Sequence, residues 1–270
     1  MEANKKPTKA RSKGLSSGWI IVGCAIVAAV FFFGYCGHPM HMDERGIHPI
    51  DLFGTLYQGG VVIPCVLTLL FTVICLAVER FFALNRASGK GSIAKFVVAA
   101  KHKLEKGDID GASKLCDEQK GSVANILKAG LVRYKDVETI TDKNNAEKAE
   151  MIQKEIEEAT TLELPYLEKN LNIIAAISSL GTLFGLFGTV VGMIKSFQAM
   201  GQDGAPDSTQ LAIGISEALM NTAAGIGTGA LAIIFYTYFT GRIASMTNAV
   251  DEIGFAIGQT YTEKHGGITK

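Results

Sequence analysis

Neither sign of charge is in excess in this chain. Lys and Arg together number 26, as do Asp and Glu, so the overall balance does not call for a nucleic acid or any other polyanion as partner. No phosphate-binding loop occurs, which removes ATP as a credible energy source, and no internal repeat is evident. The five histidines all lie outside the long apolar blocks, and no nucleophile and base are convincingly brought together. Enzymatic catalysis is therefore poorly supported, and no cofactor is implied. Cysteine says little about redox compartment. Cys24, Cys65 and Cys75 fall in apolar blocks and read as small fillers, whereas Cys116 lies in a charged stretch. Cys36 stands beside His38, His41 and His48. A metal would need those ligands at tetrahedral reach, and a short loop containing Gly and Pro reads instead as solvated.

The remaining shortage is local: charge is almost missing from four long blocks. These run from Trp19 to Tyr35, Gly60 to Val78, about Leu171 to Phe197 and about Leu211 to Phe239. A helix needs about 20 mostly apolar residues to cross a hydrocarbon core, with its backbone hydrogen bonds closed internally. The expected class is an all-α, polytopic helical membrane protein. Orientation follows from the basic residues between spans. The tail has five (Lys5, Lys6, Lys9, Arg11, Lys13) and Gly37–Gly59 has only Arg45, while Glu79–Asn170 has sixteen and Gln198–Gln210 has none. Positive residues favour the cytoplasmic side, which puts both termini there. The first block follows a basic stretch but lacks a small-x-small cleavage site, so it reads as a retained anchor. A cleaved version would leave three spans.

The expected organisation is then a basic cytoplasmic tail (1–16), an extra N-terminal span (17–36), a periplasmic segment (37–59) and a second span (60–84). A cytoplasmic helical insert (85–165), a third span (166–197), a periplasmic loop (198–210), a fourth span (211–241) and a cytoplasmic helical tail (242–270) follow. The periplasmic segment contains DLFGTLYQGG, which reads as a stretch near the interface, and it has no room for a folded domain. In the insert, IAKFVVAAKHKLEKGD and ASKLCDEQKGSVANILKAGLVRY show apolar residues at helical spacing, separated by Gly-Asp and Lys-Gly turns. Beyond them, Met151 or Ile152, Ile156, Ala159 and Leu162 form a weak stripe, and Pro165 marks a start or a kink. The tail repeats the pattern with Ile243, Met246, Val250, Ile253 and Ala256 or Ile257. Long helices are expected to extend from the last two spans and to pack with the insert.

Span three places Ser178, Thr182, Gly185, Thr189 and Gly192 at steps of 4, 3, 4 and 3, a narrow stripe of small and hydroxylated groups. Gly181, Gly185, Gly188 and Gly192 form an overlapping row, and Gly225 and Gly229 are their counterparts on span four. Small residues let helix backbones approach closely in lipid. Span four also holds Glu217, Asn221, Thr222 and Thr228 in apolar surroundings. An acid at mid-span costs roughly 2.5 to 3.5 kcal/mol and usually faces a bundle interior or an aqueous path. Counted from the ends of the apolar runs, Thr189 and Glu217 lie about 12 and 9 Å deep, with Thr222 about 7.5 Å further in, near the level of Thr182. The result is a polar ladder in which a carboxyl exchanges one proton at a time and hydroxyls hold water. The plainer reading is a Glu that only bridges two helices. Lys195 reads as a snorkelling anchor, and Glu79-Arg80 as an ion pair at the cytoplasmic interface.

Three pieces now resemble a known family. LFGLFGTVVGMIKSF, a short loop and GISEALMNTAAGIGTGALAIIFYTYF resemble the core of the ExbB/TolQ/MotA family, and the VIP start of span two with Glu79-Arg80 at its end resembles that family's first core helix. The likeness covers roughly residues 60–85 and 165–240 and lies closest to ExbB-like members. It implies a proton-channel subunit of an inner-membrane motor, driven by proton motive force. The resemblance further implies a pentamer around a dimer of an ExbD- or TolR-like single-span protein that brings an aspartate, with force delivered to a TonB- or TolA-like protein. By resemblance, Thr189 matches the channel-facing threonine of the GTV motif, Glu217 the glutamate of G-x-x-E-A-L, and Thr222 the threonine five residues later. Two family prolines are replaced here, at Ser179-Leu180 and Gly229-Ala230-Leu231, and the N-terminal span is extra, with Phe31-Phe32-Phe33 suited to lipid. A membrane scaffold is the competing class, separable by whether Glu217 matters to output. A solute transporter is less favoured, since no pair of broken helices is evident.

Overall fold

A computed structural model describes residues 17–43, 49–201 and 208–265. The tail 1–16, residues 44–48 with His48, most of the loop between the last two spans and the final five residues lie outside this description. Among the described residues the chain is all helical apart from turns and one isolated bridge, Met42 to Pro49. In order these are α1 (Ser17–Val30), α2 (Leu52–Gln58), α3 (Ile63–Ala87), α4 (Ile93–Glu105), α5 (Ile109–Gln119), α6 (Gly121–Glu138), α7 (Asn145–Leu167), α8 (Leu171–Gly201) and α9 (Ser208–His265). Among the described residues four stretches are long and apolar enough to cross a membrane: Gly18–Cys36, Gly60–Ala87, Leu171–Gln198 and part of Thr209–His265. The protein is an all-α, multi-pass membrane protein.

One compact unit comprises residues up to Leu76 together with Ala175–Ile233. The end of α1 unwinds into a wider turn over Phe31–Cys36, and a short 3₁₀ turn, Pro39–His41, follows. Asp51 caps α2 by accepting from the Gly54 amide at 2.9 Å, and it also meets His41 Nδ1 at 2.6 Å. Ala28 and Phe32 of the first span pack against Ile63 and Leu67 of α3, with Met220 and Ala224 of α9 beside them. Phe33 alone of the three phenylalanines is largely exposed, at 66%. The lipid-facing role expected for all three therefore falls to Phe33, because the wide turn rotates Phe32 inward. Cys65 and Cys75 are exposed, not fillers, whereas Cys24 and Cys36 are buried.

Apolar side chains cover the outside of this unit. On α8, Leu183, Phe187, Val190 and Ile194 are exposed in helical register on the face opposite the glycines, and on α9 Leu219, Ile226 and Ile233 are exposed at heptad spacing. In water such stripes are unfavourable, but against lipid tails or neighbouring apolar helices they are not.

The second unit comprises Ala77–Ile174 and the chain from Ile234 onward. Helices α4 to α7 are amphipathic and bury Phe96, Leu104, Leu127, Tyr134 and Ile152 with Met246, Val250, Ile253 and Ile257 of α9. Asp108 caps α5 through the Gly111 amide at 2.8 Å, and Asn144 with Glu147 forms a capping box at the start of α7. Lys120 and Gly121 both take positive φ to turn the chain between α5 and α6. Leu162, expected on the buried stripe of α7, is 80% exposed. The break before span three falls at Asn170, with φ +64, and not at Pro165, which lies inside the last turns of α7.

Candidate functional site

The pairing of α8 with α9 begins with what is missing at the glycines. A β-carbon added to Gly225 would come within 2.5 Å of the Gly181 carbonyl oxygen and 2.6 Å of Gly185 Cα, and one on Gly229 within 2.7 Å of the Ser178 carbonyl oxygen. Gly192 faces Ala218, and Gly188 is the notch that receives the Asn221 side chain. Ser178, Gly181, Gly185, Gly188, Gly192, Gly225 and Gly229 thus lie along one seam, where glycine leaves room for the facing backbone or a small side chain.

This seam sets a register different from the one counted from the apolar runs. Thr222 Oγ1 donates to Thr189 Oγ1 at 3.3 Å, so those two are level with each other. Thr182 instead lies beside Gly229 and is not at the level of Thr222. Glu217 is opposite Lys195, about one and a half turns closer to the α8–α9 connection than Thr189 is. The reason is physical: both helices continue past the apolar runs, so their ends say nothing about alignment, while the glycine contacts do. The hydroxyls also have local partners. Ser178 donates to the Ala175 carbonyl at 2.6 Å, Thr189 to Leu186 at 2.6 Å and Thr228 to Ala224 at 2.9 Å. Their lone pairs, more than their protons, are left for other donors.

Around Glu217 the chain is more closely built than expected. Its carboxylate Oε1 lies 2.6 Å from Lys195 Nζ, with 9% of the Glu217 side chain exposed and 48% of the lysine's. A β-carbon added to Gly60, which has φ +72, would collide with that same oxygen. One residue earlier, the Gly59 carbonyl accepts from Asn221 Nδ2 at 2.8 Å, and the same amide donates to the Glu217 carbonyl at 3.0 Å. Asn221 Oδ1 is buried and has no hydrogen-bond partner among the described residues. The snorkelling role read for Lys195 is thereby replaced by an ion pair, and Asn221, Gly59 and Gly60 join a site that pattern reading had confined to Glu217 and threonines. A usable signal did exist for Asn221, which is polar, mid-span and one turn after Glu217 on the same helix.

Glu79 and Arg80 form a pair of another kind. Arg80 is 1% exposed, its Nε donates to Glu79 Oε2 at 2.7 Å, its Nη2 also meets Glu79, and its Nη1 reaches the Tyr166 carbonyl at 3.3 Å. Asn170 donates to the same carboxylate at 3.1 Å. The guanidinium fork thus ties α3 to the α7–α8 junction. As for the histidines, His41 is engaged with Asp51, His38 accepts from the Met40 amide at 3.2 Å, and His48 lies outside the described residues. Among the described residues no group of three or more His, Cys, Asp or Glu is placed to hold a metal.

Fold and site together define a class: a multi-pass helical membrane protein whose last two spans close on glycines around a buried acid, its cation and a hydroxyl pair. The chain belongs to the MotA/TolQ/ExbB proton channel family, whose profile matches residues 118–252, half of its length. It is 24% identical over 208 residues to a biopolymer transport protein ExbB homolog of Methanothermobacter thermautotrophicus, covering 76% of this chain and 70% of that one. Shorter likenesses reach ExbB of Salmonella typhimurium, 31% identical over 33% of this chain and 36% of that one, and the Tol-Pal system protein TolQ of Haemophilus influenzae, 33% identical over 35% and 40%.

Proposed function

We propose that the chain is the proton-channel subunit of an inner (cytoplasmic) membrane motor that turns proton motive force into mechanical work on a TonB-like protein, in the service of outer-membrane transport. The observation that carries this reading is Glu217, an acid buried on the last span, with a hydroxyl pair contributed by Thr189 and Thr222 further along the same α8–α9 seam. Thr182 extends the polar line on α8. The tail, the insert and the C-terminus lie in the cytoplasm, where the basic residues concentrate. One unit charge crossing 100 mV supplies about 2.3 kcal/mol, so a few protons suffice for a mechanical stroke. By family resemblance the chain forms a homo-oligomer, a pentamer, around a dimer of an ExbD- or TolR-like single-span protein. The glycine seam and the ion pair of Glu79 and Arg80 hold each protomer's helices in place.

Glu217→Gln is expected to abolish energised output and leave the co-purified complex intact. Full output with the amide in place sinks the proposal in favour of a non-conducting scaffold. A TolQ-like output, envelope maintenance, is the second reading, supported by the likeness to TolQ of Haemophilus influenzae over 35% of the chain. A deletion strain that becomes detergent-sensitive while nutrient uptake stays normal selects it.

A further inference from the structure

Lys195 and Glu217 are unequal partners. The carboxylate is fixed: Gly60 walls its Oε1, and Asn221 holds that wall through the Gly59 carbonyl at 2.8 Å. The lysine is a four-carbon stem with 48% of its side chain exposed, three residues before the end of an apolar span. Its ammonium sits 2.6 Å from Oε1. While Nζ rests there, a proton arriving from water has to displace the ammonium or add beside its positive charge, and the repulsion opposes uptake at either carboxylate oxygen.

We propose that Lys195 is a movable latch on the proton relay: docked on Glu217 it holds the relay idle, and its withdrawal toward the interface frees the carboxylate to take up a proton. This rests on the reading of Glu217 as the relay acid. Lys195 keeps its own protons and moves as an ammonium throughout. The proton bound by Glu217 comes from water on one side and leaves to water on the other, so no net chemistry occurs at the lysine. The asymmetry of the pair gives the direction of motion, since the long, half-exposed side chain has somewhere to go and the walled carboxylate has not.

The test is basal proton flux under an imposed potassium diffusion potential, in membrane vesicles from the native host producing the full complex, read with a pH-sensitive dye. Lys195→Met is expected to raise basal flux about fivefold, the factor corresponding to about 1 kcal/mol of ion-pair stabilisation. Lys195→Arg, which keeps the cation, is expected to stay near wild type. Lys195→Cys should leak like the Met variant and return to wild-type flux once aminoethylation of the thiol restores a cation, an outcome that mere damage to the fold would not produce. Flux unchanged or lowered in both Lys195→Met and Lys195→Cys overturns the latch, as does failure of aminoethylation to suppress the leak. Glu217→Gln separates the two levels. If it retains flux, the relay reading itself fails and takes the latch with it, and if it is silent while Lys195→Met matches wild type, only the latch fails.

Discussion

Asn221 directs both of its amide contacts to backbone carbonyls, one on its own helix and one at Gly59, which makes it a clamp between the last span and the turn that opens α3. A short, forked amide suits that task better than a longer side chain, because Gly188 leaves a notch of just that depth. Cys116, far from these residues in sequence, shows burial acting on a titratable group in the other unit. It is 3% exposed, and desolvation pushes its thiol up to about 12. Since the thiolate is the nucleophile, about one molecule in ten thousand is reactive at pH 8. Peptide mapping after iodoacetamide treatment at pH 8 is expected to find Cys116 unmodified in the native protein and fully modified after denaturation. Ready modification in the native state contradicts its placement in the α5 core.

At the scale of elements, the seam between α8 and α9 distinguishes glycines that pack from glycines that do not. Gly225→Ala drives a methyl onto the Gly181 backbone and is expected to cost about 1–3 kcal/mol of stability by overpacking. Gly227→Ala, on the same helix with nothing within 4 Å of the added carbon, is expected to be neutral or to stabilise by up to about 1 kcal/mol. Unfolding midpoints of the two variants in one detergent check the contrast, and equal midpoints refute the seam. How well these elements could be read beforehand depended on where their instructions lie. The limits of α4, α5 and α6 were legible because their stop signals are local, in Gly107-Asp108 and Lys120-Gly121. The face of α7 was not, since Leu162 has the right spacing but no partner on the helices packed against α7, which reach Ile152 and Ile156 instead. The α8–α9 alignment was misread for a related reason. Apolar runs mark where a helix meets lipid, whereas register depends on which glycine lies under which carbonyl.

For the molecule as a whole, the proposed orientation makes a labelling prediction. In a variant without native cysteines, Asp43→Cys is expected to react with a membrane-impermeant maleimide in intact spheroplasts, and Lys143→Cys only after permeabilisation. The reverse pattern inverts the topology and with it the direction of proton entry. The site was legible at whole-chain scale only in part. Glu217, Thr189 and Thr222 announce themselves as polar residues in apolar helices, but Lys195 sits near the end of an apolar span, where lysine is ordinary, and Gly60 is one glycine among 30. Their roles come from distant segments meeting, and no window of sequence contains that meeting. The hydrogen bond from Asn221 to Gly59 joins residues 162 apart. During synthesis, the stretch from the first span through α2 therefore emerges and waits, its final tether unmade, until the last helix leaves the insertion machinery. A chain truncated before that point would reach the bilayer with this hook unfastened.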